Sequence, residues 1–205
     1  MGNITLDNSL IDLTEFKASW QTQFYRAQTA SLINTATSNG SARLKVEMTV
    51  ETENLDKRNY VESVLLAAAY NFDSVTLELP DIFYKYRGSP VATGLLPQAS
   101  VSAGSNTLIV EVGGATPTYP TSANVYQGML LNFQGDTTLY RINSYTPATG
   151  IAIIFPVLRK AITTSTTIVY ENPTFTGNIM NTPQANYFNG ALNYVSYDID
   201  LDEVL

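Results

Sequence analysis

Three aspartates at alternate positions near the end of the sequence are the side chains best spaced for chemistry. Asp198, Asp200 and Asp202 lie in the run YDIDLDE. Because successive side chains of a strand point to opposite faces, all three would share one face of a strand. Carboxylates aligned in this way offer oxygen ligands to a hard cation such as calcium. The run lacks the glycine-punctuated loop that wraps such a cation, so a solvated acidic face is the interpretation adopted and no metal is predicted.

The residue types that are absent exclude several classes of catalysis. The chain has no His and no Cys, which removes the usual general base of an acyl-transfer triad, the commonest transition-metal ligand and all thiolate chemistry. It also lacks a phosphate-binding glycine loop, since the Gly113-Gly114 pair reads as a turn. A hydrolase with paired carboxylates stays formally open, but no two acids stand out for that role. We therefore expect a protein that is not an enzyme and has no cofactor.

The composition favours a protein that packs against other proteins. Charged residues make up 14% of the 205 residues, against roughly 25% in ordinary globular domains. Uncharged polar surfaces rich in Tyr and Asn suit burial against other subunits. The net charge of −7 argues against general binding to nucleic acids or anionic membranes. No apolar run reaches membrane-spanning length, and Met1–Ser9 lacks the features of a signal peptide, so we expect a soluble chain without an export signal.

The first part of the chain predicts a sheet covered by one helix. Strands are expected at Ser41–Glu51 and at Ser74–Leu79, and a helix at roughly 54–71 with Asn54 as its N-cap. Residues 2–40 are extended and polar, as in an arm or edge strand that packs on a neighbour, or in a frayed terminus. The expected apolar stripe of the helix comprises Val61, Val64, Leu65, Ala68, Ala69 and Phe72.

The second part predicts a compact β unit inserted into the first. Five short runs alternate or are continuously apolar and are bounded by turn residues. They are followed by two further strands, at Phe175–Met180 and Ala191–Leu201, which are too few for a domain of their own and return to the first sheet. We therefore predict a mainly β chain with a discontinuous domain of residues 1–87 and 174–205, and a small inserted barrel of residues 88–173 entered through a linker at Lys85–Thr93. The five runs are Leu108–Val112, Met129–Phe133, Leu139–Asn143, Ile151–Phe155 and Thr166–Tyr170.

Tyrosines in the β unit suggest a second kind of site. Tyr119 and Tyr126, with Tyr140 and Tyr145, would offer rings for stacking on sugars, because small barrels bind oligosaccharides through one face and its loops. Tyrosine also fills half-buried strand positions, which is the competing interpretation.

The order of motifs in the β unit resembles a known family. Gly128–Phe133 is followed by Thr138–Ile142, with its Tyr-Arg-Ile, and then by Ile151–Arg159, with its Phe-Pro-Val-Leu. This arrangement resembles the inserted barrel of the distal tail proteins of long-tailed bacteriophages. The elements on either side of it agree in their order, so the resemblance covers roughly residues 41–205.

The resemblance implies a structural virion protein at the distal end of the phage tail. Members of this family form a hexameric ring that joins the tail tube to the tip or baseplate hub and leaves a channel for DNA. The first domain, an incomplete β-barrel with one helix, would form the ring wall, and an inserted five-stranded OB-like barrel would project outward. The implied partners are further copies of the chain, the tube protein and the hub protein, with DNA passing unbound. The family has no catalytic residues to transfer.

Subunit contacts are expected in three places. They are the polar side of the helix (Lys57, Arg58 and Glu62), an arm formed by residues 2–17, and the acidic last strand with Asp198, Asp200 and Asp202. An acidic strand facing the channel would repel DNA phosphates. The alternative function is a carbohydrate-binding accessory module that contacts the host surface through the inserted barrel, with Tyr119 and Tyr126 at the sugar.

Overall fold

The structure is a computed structural model of the whole chain. It describes residues 2–7, 10–28, 34–79, 94–113, 118–187 and 194–204, with the backbone alone at 22–28, 34–41 and 187. The predicted linker at Lys85–Thr93 and the predicted boundary at residue 87 lie outside the described residues.

The described residues contain thirteen strands and one helix, so the chain is mainly β, as the sequence predicted. In chain order the elements are β1 Asn3–Thr5, β2 Asp12–Gln28, β3 Asn34–Thr52, α1 Leu55–Asn71, β4 Ser74–Glu78, β5 Leu95–Pro97, β6 Thr107–Val112, β7 Leu130–Phe133, β8 Tyr140–Thr146, β9 Ile151–Phe155, β10 Ile168–Val169, β11 Thr174–Ile179, β12 Ala185–Tyr187 and β13 Val195–Glu203.

The first sheet has seven strands in the order β1-β4-β11-β13-β3-β2, with β12 paired to β13 outside this path. Only β1 and β4 pair in parallel among these ladders. Alternation along each strand gives the sheet one apolar face, which α1 covers, and one polar face. Leu6 and Ile11 are buried in this core. The described part of residues 2–17 therefore forms edge strands of its own sheet instead of an arm that leaves it.

Helix α1 begins and ends with recognisable caps. The side chain of Asn54 accepts a hydrogen bond of 2.8 Å from the backbone N–H of Lys57, which confirms the predicted N-cap. Val61, Leu65 and Ala68 are buried against the sheet. Phe72, predicted as the last member of the buried stripe, is instead the C-cap in a left-handed conformation with its ring 73% exposed. The helix ends one residue before Phe72, and the left-handed backbone turns the ring away from the core.

The second sheet has six antiparallel strands in the order β10-β7-β8-β9-β6-β5. It curls until its two edge strands lie beside each other, so it is nearly closed and barrel-like. Each of the five predicted runs overlaps one of its strands. The sixth strand, Leu95–Pro97, was not predicted because three residues carry no readable alternation. The core of the second sheet includes Leu108, Val110, Leu131, Phe133, Tyr140, Ile142, Ala152 and Ile154.

The path of the chain links the two sheets. Strands β4 and β11 are antiparallel neighbours in the first sheet, with Leu77 opposite Phe175. Strands β5–β10, which lie between them in the sequence, form the second sheet.

Candidate functional site

The three aspartates share the polar face of β13. Asp198 is exposed and Asp200 and Asp202 are half-buried, while the residues between them are buried in the first core. The register with β3 sets Asp198 opposite Thr49, Asp200 opposite Glu47 and Asp202 opposite Lys45. The same rows continue onto β2 with Glu15, Lys17 and Ser19. These nine residues form a charged surface that we call the acidic face.

Internal contacts already engage the side chains of the acidic face. Thr49 Oγ1 donates to Asp198 Oδ1 at 2.8 Å, and Asn186 Nδ2 donates to Asp198 Oδ2 at 3.3 Å. Lys45 Nζ lies 2.9 Å from Glu47 Oε1 and 3.6 Å from Asp200 Oδ2. This lysine therefore separates two carboxylates that the sheet register sets directly opposite each other. Its hydrogen bond with Glu47 raises the pKa of Lys45 and lowers the pKa of Glu47.

The acidic face is not built like a metal centre. Within the described residues, no group of three or more Asp, Glu, His or Cys side chains is arranged to hold a metal ion. Alternate residues of a strand lie about 6.5–7 Å apart, whereas the oxygens around one calcium ion converge to about 2.3–2.6 Å from it. The face instead contains a shallow groove lined by Glu15, Lys17, Glu47, Met48, Thr49, Asp198, Ile199 and Asp200.

The predicted contact residues of α1 lie on its flanks and bind their own chain. Lys57 Nζ lies 2.7 Å from Asp12 Oδ2 on β2, which raises the pKa of Lys57 through that hydrogen bond. Arg58 Nε lies 3.0 Å from Glu62 Oε1, and the buried Tyr197 hydroxyl donates to the same oxygen at 2.8 Å. The hydrogen bond from Tyr197 is the largest cause that lowers the pKa of Glu62. The pairs connect the helix to β2 and β13.

The side of α1 that faces solvent carries a different set of residues. They are Leu55, Asp56, Asn59, Ser63, Leu66 and Tyr70, all exposed, with Asp56 as the acid among them. The outward side was predicted at the charged residues Lys57, Arg58 and Glu62, which are half-buried instead. The signal was available, since positions 55, 59, 63, 66 and 70 follow the helical period opposite the buried Val61, Leu65 and Ala68.

A buried ion pair joins the two sheets. Arg159, in the segment after β9, lies with Nη2 3.0 Å from Glu203 Oε2 on β13. The same Nη2 donates to the carbonyl of Ala42 at 2.7 Å, and the backbone N–H of Leu44 donates to Glu203 Oε2 at 3.0 Å. Glu203 is 3% exposed, and this burial raises the pKa of its carboxyl despite the opposing effect of Arg159.

An amide clasp forms a second link between the sheets. The side chain of Asn132 on β7 accepts from the backbone N–H of Thr174 at 2.7 Å and donates to its carbonyl at 3.0 Å. It thus pairs with the first residue of β11 as a neighbouring strand would. Leu130 of β7 and Leu139, directly before β8, also pack into the first core. We call these contacts, together with the Arg159–Glu203 pair, the joint.

The tyrosines considered for sugar binding differ in their exposure. Tyr119 is 40% exposed, and its ring lies against Gly150, where a Cβ would come within 2.4 Å of it. Tyr126 is half-buried and packs against the second core. Tyr140 is fully buried, and the Tyr145 hydroxyl donates to the carbonyl of Pro120 at 2.6 Å. Of the four, Tyr119 presents the most accessible ring.

The chain matches no protein-family model and no curated protein. In the part of the chain that the structure describes, no helix combines the length and the apolar character needed to cross a membrane.

Proposed function

We propose that this protein is a structural subunit of the phage tail tip, of the distal tail type. Six copies form a ring that joins the tail tube to the tip or baseplate hub and leaves a channel for DNA. The path of the chain carries the proposal: β4 and β11 are neighbours in one sheet, while the residues between them build another. The resemblance in the sequence implies this order of a wall domain interrupted by a barrel.

In this proposal the first sheet and α1 form the wall domain, an incomplete barrel of residues 1–87 and 174–205. The second sheet is the inserted OB-like barrel of residues 88–173, with six strands where the sequence analysis expected five. A projecting barrel that docks a partner must not swing freely. The joint restricts such motion, since the ion pair and the amide clasp connect the two sheets through buried or half-buried groups.

The acidic face lines the channel in this proposal. It bears Glu15, Glu47, Asp198, Asp200 and Asp202, with Lys17 and Lys45 as its only basic members. A channel wall of net negative charge repels DNA phosphates at short range, so the genome slides past without being held. The role is structural and requires no cofactor. The partners are other copies of the chain, the tube protein and the hub protein.

The first test is the solution mass of the purified protein over a concentration series, alone and with tube protein, followed by negative-stain imaging. Rings of six, alone or on addition of tube protein, are the expected result. The variant with Asp198→Asn, Asp200→Asn and Asp202→Asn should still form rings but slow DNA ejection from reconstituted virions. Glu171→Gln, an exposed acid in the segment between β10 and β11, is the matched control. A protein that stays monomeric and ignores tube protein would overturn the proposal.

The exposed ring of Tyr119 favours one alternative, a carbohydrate-binding module that contacts the host surface. This function predicts that saccharides alter the tyrosine fluorescence of the protein and that Tyr119→Ser removes the change. Tyr70→Ser, at an exposed tyrosine of α1, is the control and should leave the change intact. A glycan array that finds no ligand for the wild-type protein would exclude this alternative.

A further inference from the structure

The two sheets have separate hydrophobic cores that meet at the joint. The joint consists of the ion pair, the amide clasp and the packing of two leucines against the first core. One contact between aromatic rings, that of Trp20 with Phe155, lies beside it. A small interface between two packed cores opens at a lower free energy than either core unfolds. We therefore expect the chain to open at the joint before either sheet unfolds.

Glu203 is a buried acid of the joint whose two carboxyl oxygens are in different situations. Its Oε2 accepts from Arg159 Nη2 and from the backbone N–H of Leu44, both at 3.0 Å. Its Oε1 is buried and forms no hydrogen bond in the described part of the chain. Burial of a charged oxygen without a donor is costly, and burial of a neutral carboxyl costs less. The closed joint therefore favours the neutral acid over the carboxylate.

The charges around Glu203 are few. Among the described residues, the charged group that faces its carboxyl is the guanidinium of Arg159, in the segment after β9. Strand β11 places Gly177 opposite Glu203, and β3 offers backbone groups. Near β8, the hydroxyl of Tyr140 donates to Asp136 Oδ2 and accepts from the backbone N–H of Arg159. Asp136 and Tyr140 thus bind each other next to the ion pair.

Arg159 does not depend on a charged Glu203 for its hydrogen bonds. Its Nη2 donates to the carbonyl of Ala42 at 2.7 Å, and its Nη1 donates to Thr138 Oγ1 at 3.3 Å. The side chain is also 21% exposed, so water reaches it. The closed joint can therefore hold a neutral Glu203 without leaving the guanidinium unsatisfied.

The direction of the pH effect follows from the burial of Glu203. Burial raises the pKa of its carboxyl above 4.5, although Arg159 and the backbone N–H groups of Leu44 and Leu139 oppose this change. When the joint opens, water reaches the carboxyl and its pKa returns towards the ordinary value. The closed joint thus binds the proton more tightly than the open one, and a rise in pH favours opening. The effect starts above pH 4.5 and is complete once the pH exceeds the raised pKa.

We propose that the joint is a hinge controlled by a proton on Glu203. With the carboxyl neutral, the second sheet is held against the first; when the proton leaves, the joint loosens and the second sheet moves relative to the first while both cores stay folded. This device goes beyond the proposed function, which requires only that the two sheets are joined. It rests on the joint alone and holds whether or not the tail-tip function is correct.

The absence of cysteine from the sequence allows spin labels at chosen positions. Asn59→Cys on α1 and Asn143→Cys on β8 are exposed and place one label on each side of the joint. Double electron–electron resonance over a pH series from 4.5 upward should give one narrow distance at first and a broad distribution above the raised pKa of Glu203. With Glu203→Gln, which cannot ionise, the narrow distance should persist at every pH.

The matched control for this experiment is Glu171→Gln, an exposed acid in the segment between β10 and β11. It should show the same transition as the wild-type sequence. A wild-type distribution that does not change with pH would overturn the proposal. So would a Glu203→Gln protein that broadens over the same pH range as wild type.

Hydrogen exchange of the unmodified protein tests the hinge without any variant. The Thr174 amide bonds across the joint to Asn132, whereas the Ile142 amide donates to the carbonyl of Met129 at 2.9 Å on the far side of the joint. Each exchange rate is divided by that of an unfolded peptide at the same pH. The ratio of Thr174 to Ile142 should then rise by up to about tenfold per pH unit above 4.5 until the raised pKa is passed.

Two results of the exchange measurement would overturn the proposal. A ratio that stays constant while both amides remain protected would show that the joint does not respond to the proton. An equal rise in the exchange of both amides would show that the whole protein unfolds instead of opening at the joint.

Discussion

Arg159 and Glu203 lie 44 positions apart in the sequence and meet at 3.0 Å between Nη2 and Oε2, where the two sheets join. The carboxylate is almost fully buried, and the guanidinium also donates to the carbonyl of Ala42 on β3. A buried pair of this kind adds little net stability compared with apolar packing, but loss of one partner leaves the other charge without compensation. The pair therefore fixes how the sheets meet more than how stable each one is.

Replacement of Arg159 should destabilise the protein strongly. Arg159→Met leaves Glu203 buried without its cation, and we expect the free energy of unfolding at neutral pH to fall by about 3 kcal/mol. Urea unfolding measures the change. Lys160→Met is the matched control, because this exposed lysine contacts only the carbonyl of Gly135 in the described structure, and its effect should stay within about 0.5 kcal/mol. Equal losses in the two variants would contradict the role assigned to the pair.

The pH dependence of stability should carry a signature of Glu203. Burial raises the pKa of its carboxyl above the ordinary value of 4.5, so the folded protein holds this proton at pH values where the unfolded chain has released it. The stability from this group is therefore fully present below pH 4.5 and is lost as the pH rises through the folded pKa. Glu203→Gln cannot ionise and should lack this decline.

The measurement is the difference in unfolding free energy between wild type and Glu203→Gln at a series of pH values. The difference removes the contribution of Glu62, whose lowered pKa acts in the opposite direction. We expect wild type to lose stability relative to the variant as the pH rises above 4.5 and through the raised pKa of Glu203. Parallel curves would show that the carboxyl does not titrate differently in the folded state.

Asn132 should control the protection of a single backbone amide. Its Oδ1 accepts from the N–H of Thr174 at 2.7 Å, so Asn132→Ala leaves that amide without its partner. We expect the Thr174 amide to exchange with solvent much faster and the protein to lose about 1–3 kcal/mol. Hydrogen exchange followed by NMR reads out this position. Asn143→Ala, at an exposed position on β8, is the control and should leave the exchange of Thr174 unchanged.

The only tryptophan of the chain reports on the contact between β2 and β9. The rings of Trp20 and Phe155 meet edge to face with their centroids 5.2 Å apart. Phe155→Ala should remove about 1 kcal/mol of ring interaction and shift the tryptophan emission to longer wavelength as water reaches the indole. Ile153→Ala changes an exposed residue of the same strand and should leave the emission where it is. An unshifted spectrum in Phe155→Ala would mean that the indole is shielded by other groups.

The elements with strong local signals were predicted from the sequence. Helix α1 has an N-cap residue, an apolar stripe at helical spacing and a length that a strand would not reach. Its bounds agree with the prediction. The strand predicted at Ser41–Glu51 is also present, but β3 starts earlier, at Asn34. Its first residues are polar and carry no period, and pairing with β2 makes them a strand. Strand β5 was missed because its three residues are too few to show an alternation.

The candidate site depended on local sequence patterns and on the long-range packing of the chain. Alternation along a strand is a local property, so the sequence alone determined that Asp198, Asp200 and Asp202 share one face and that the chain is mainly β. The meeting of Arg159 with Glu203, and of Asn132 with Thr174, results from long-range packing that no local period encodes. Only the tertiary structure decided which side of α1 faces outward, because the direction of a charged side chain depends on the position of the residue that it pairs with. Asp12 and Tyr197 hold Lys57 and Glu62 on the flanks of α1, so the side toward the solvent carries Leu55, Leu66 and Tyr70, with Asp56 as its acid.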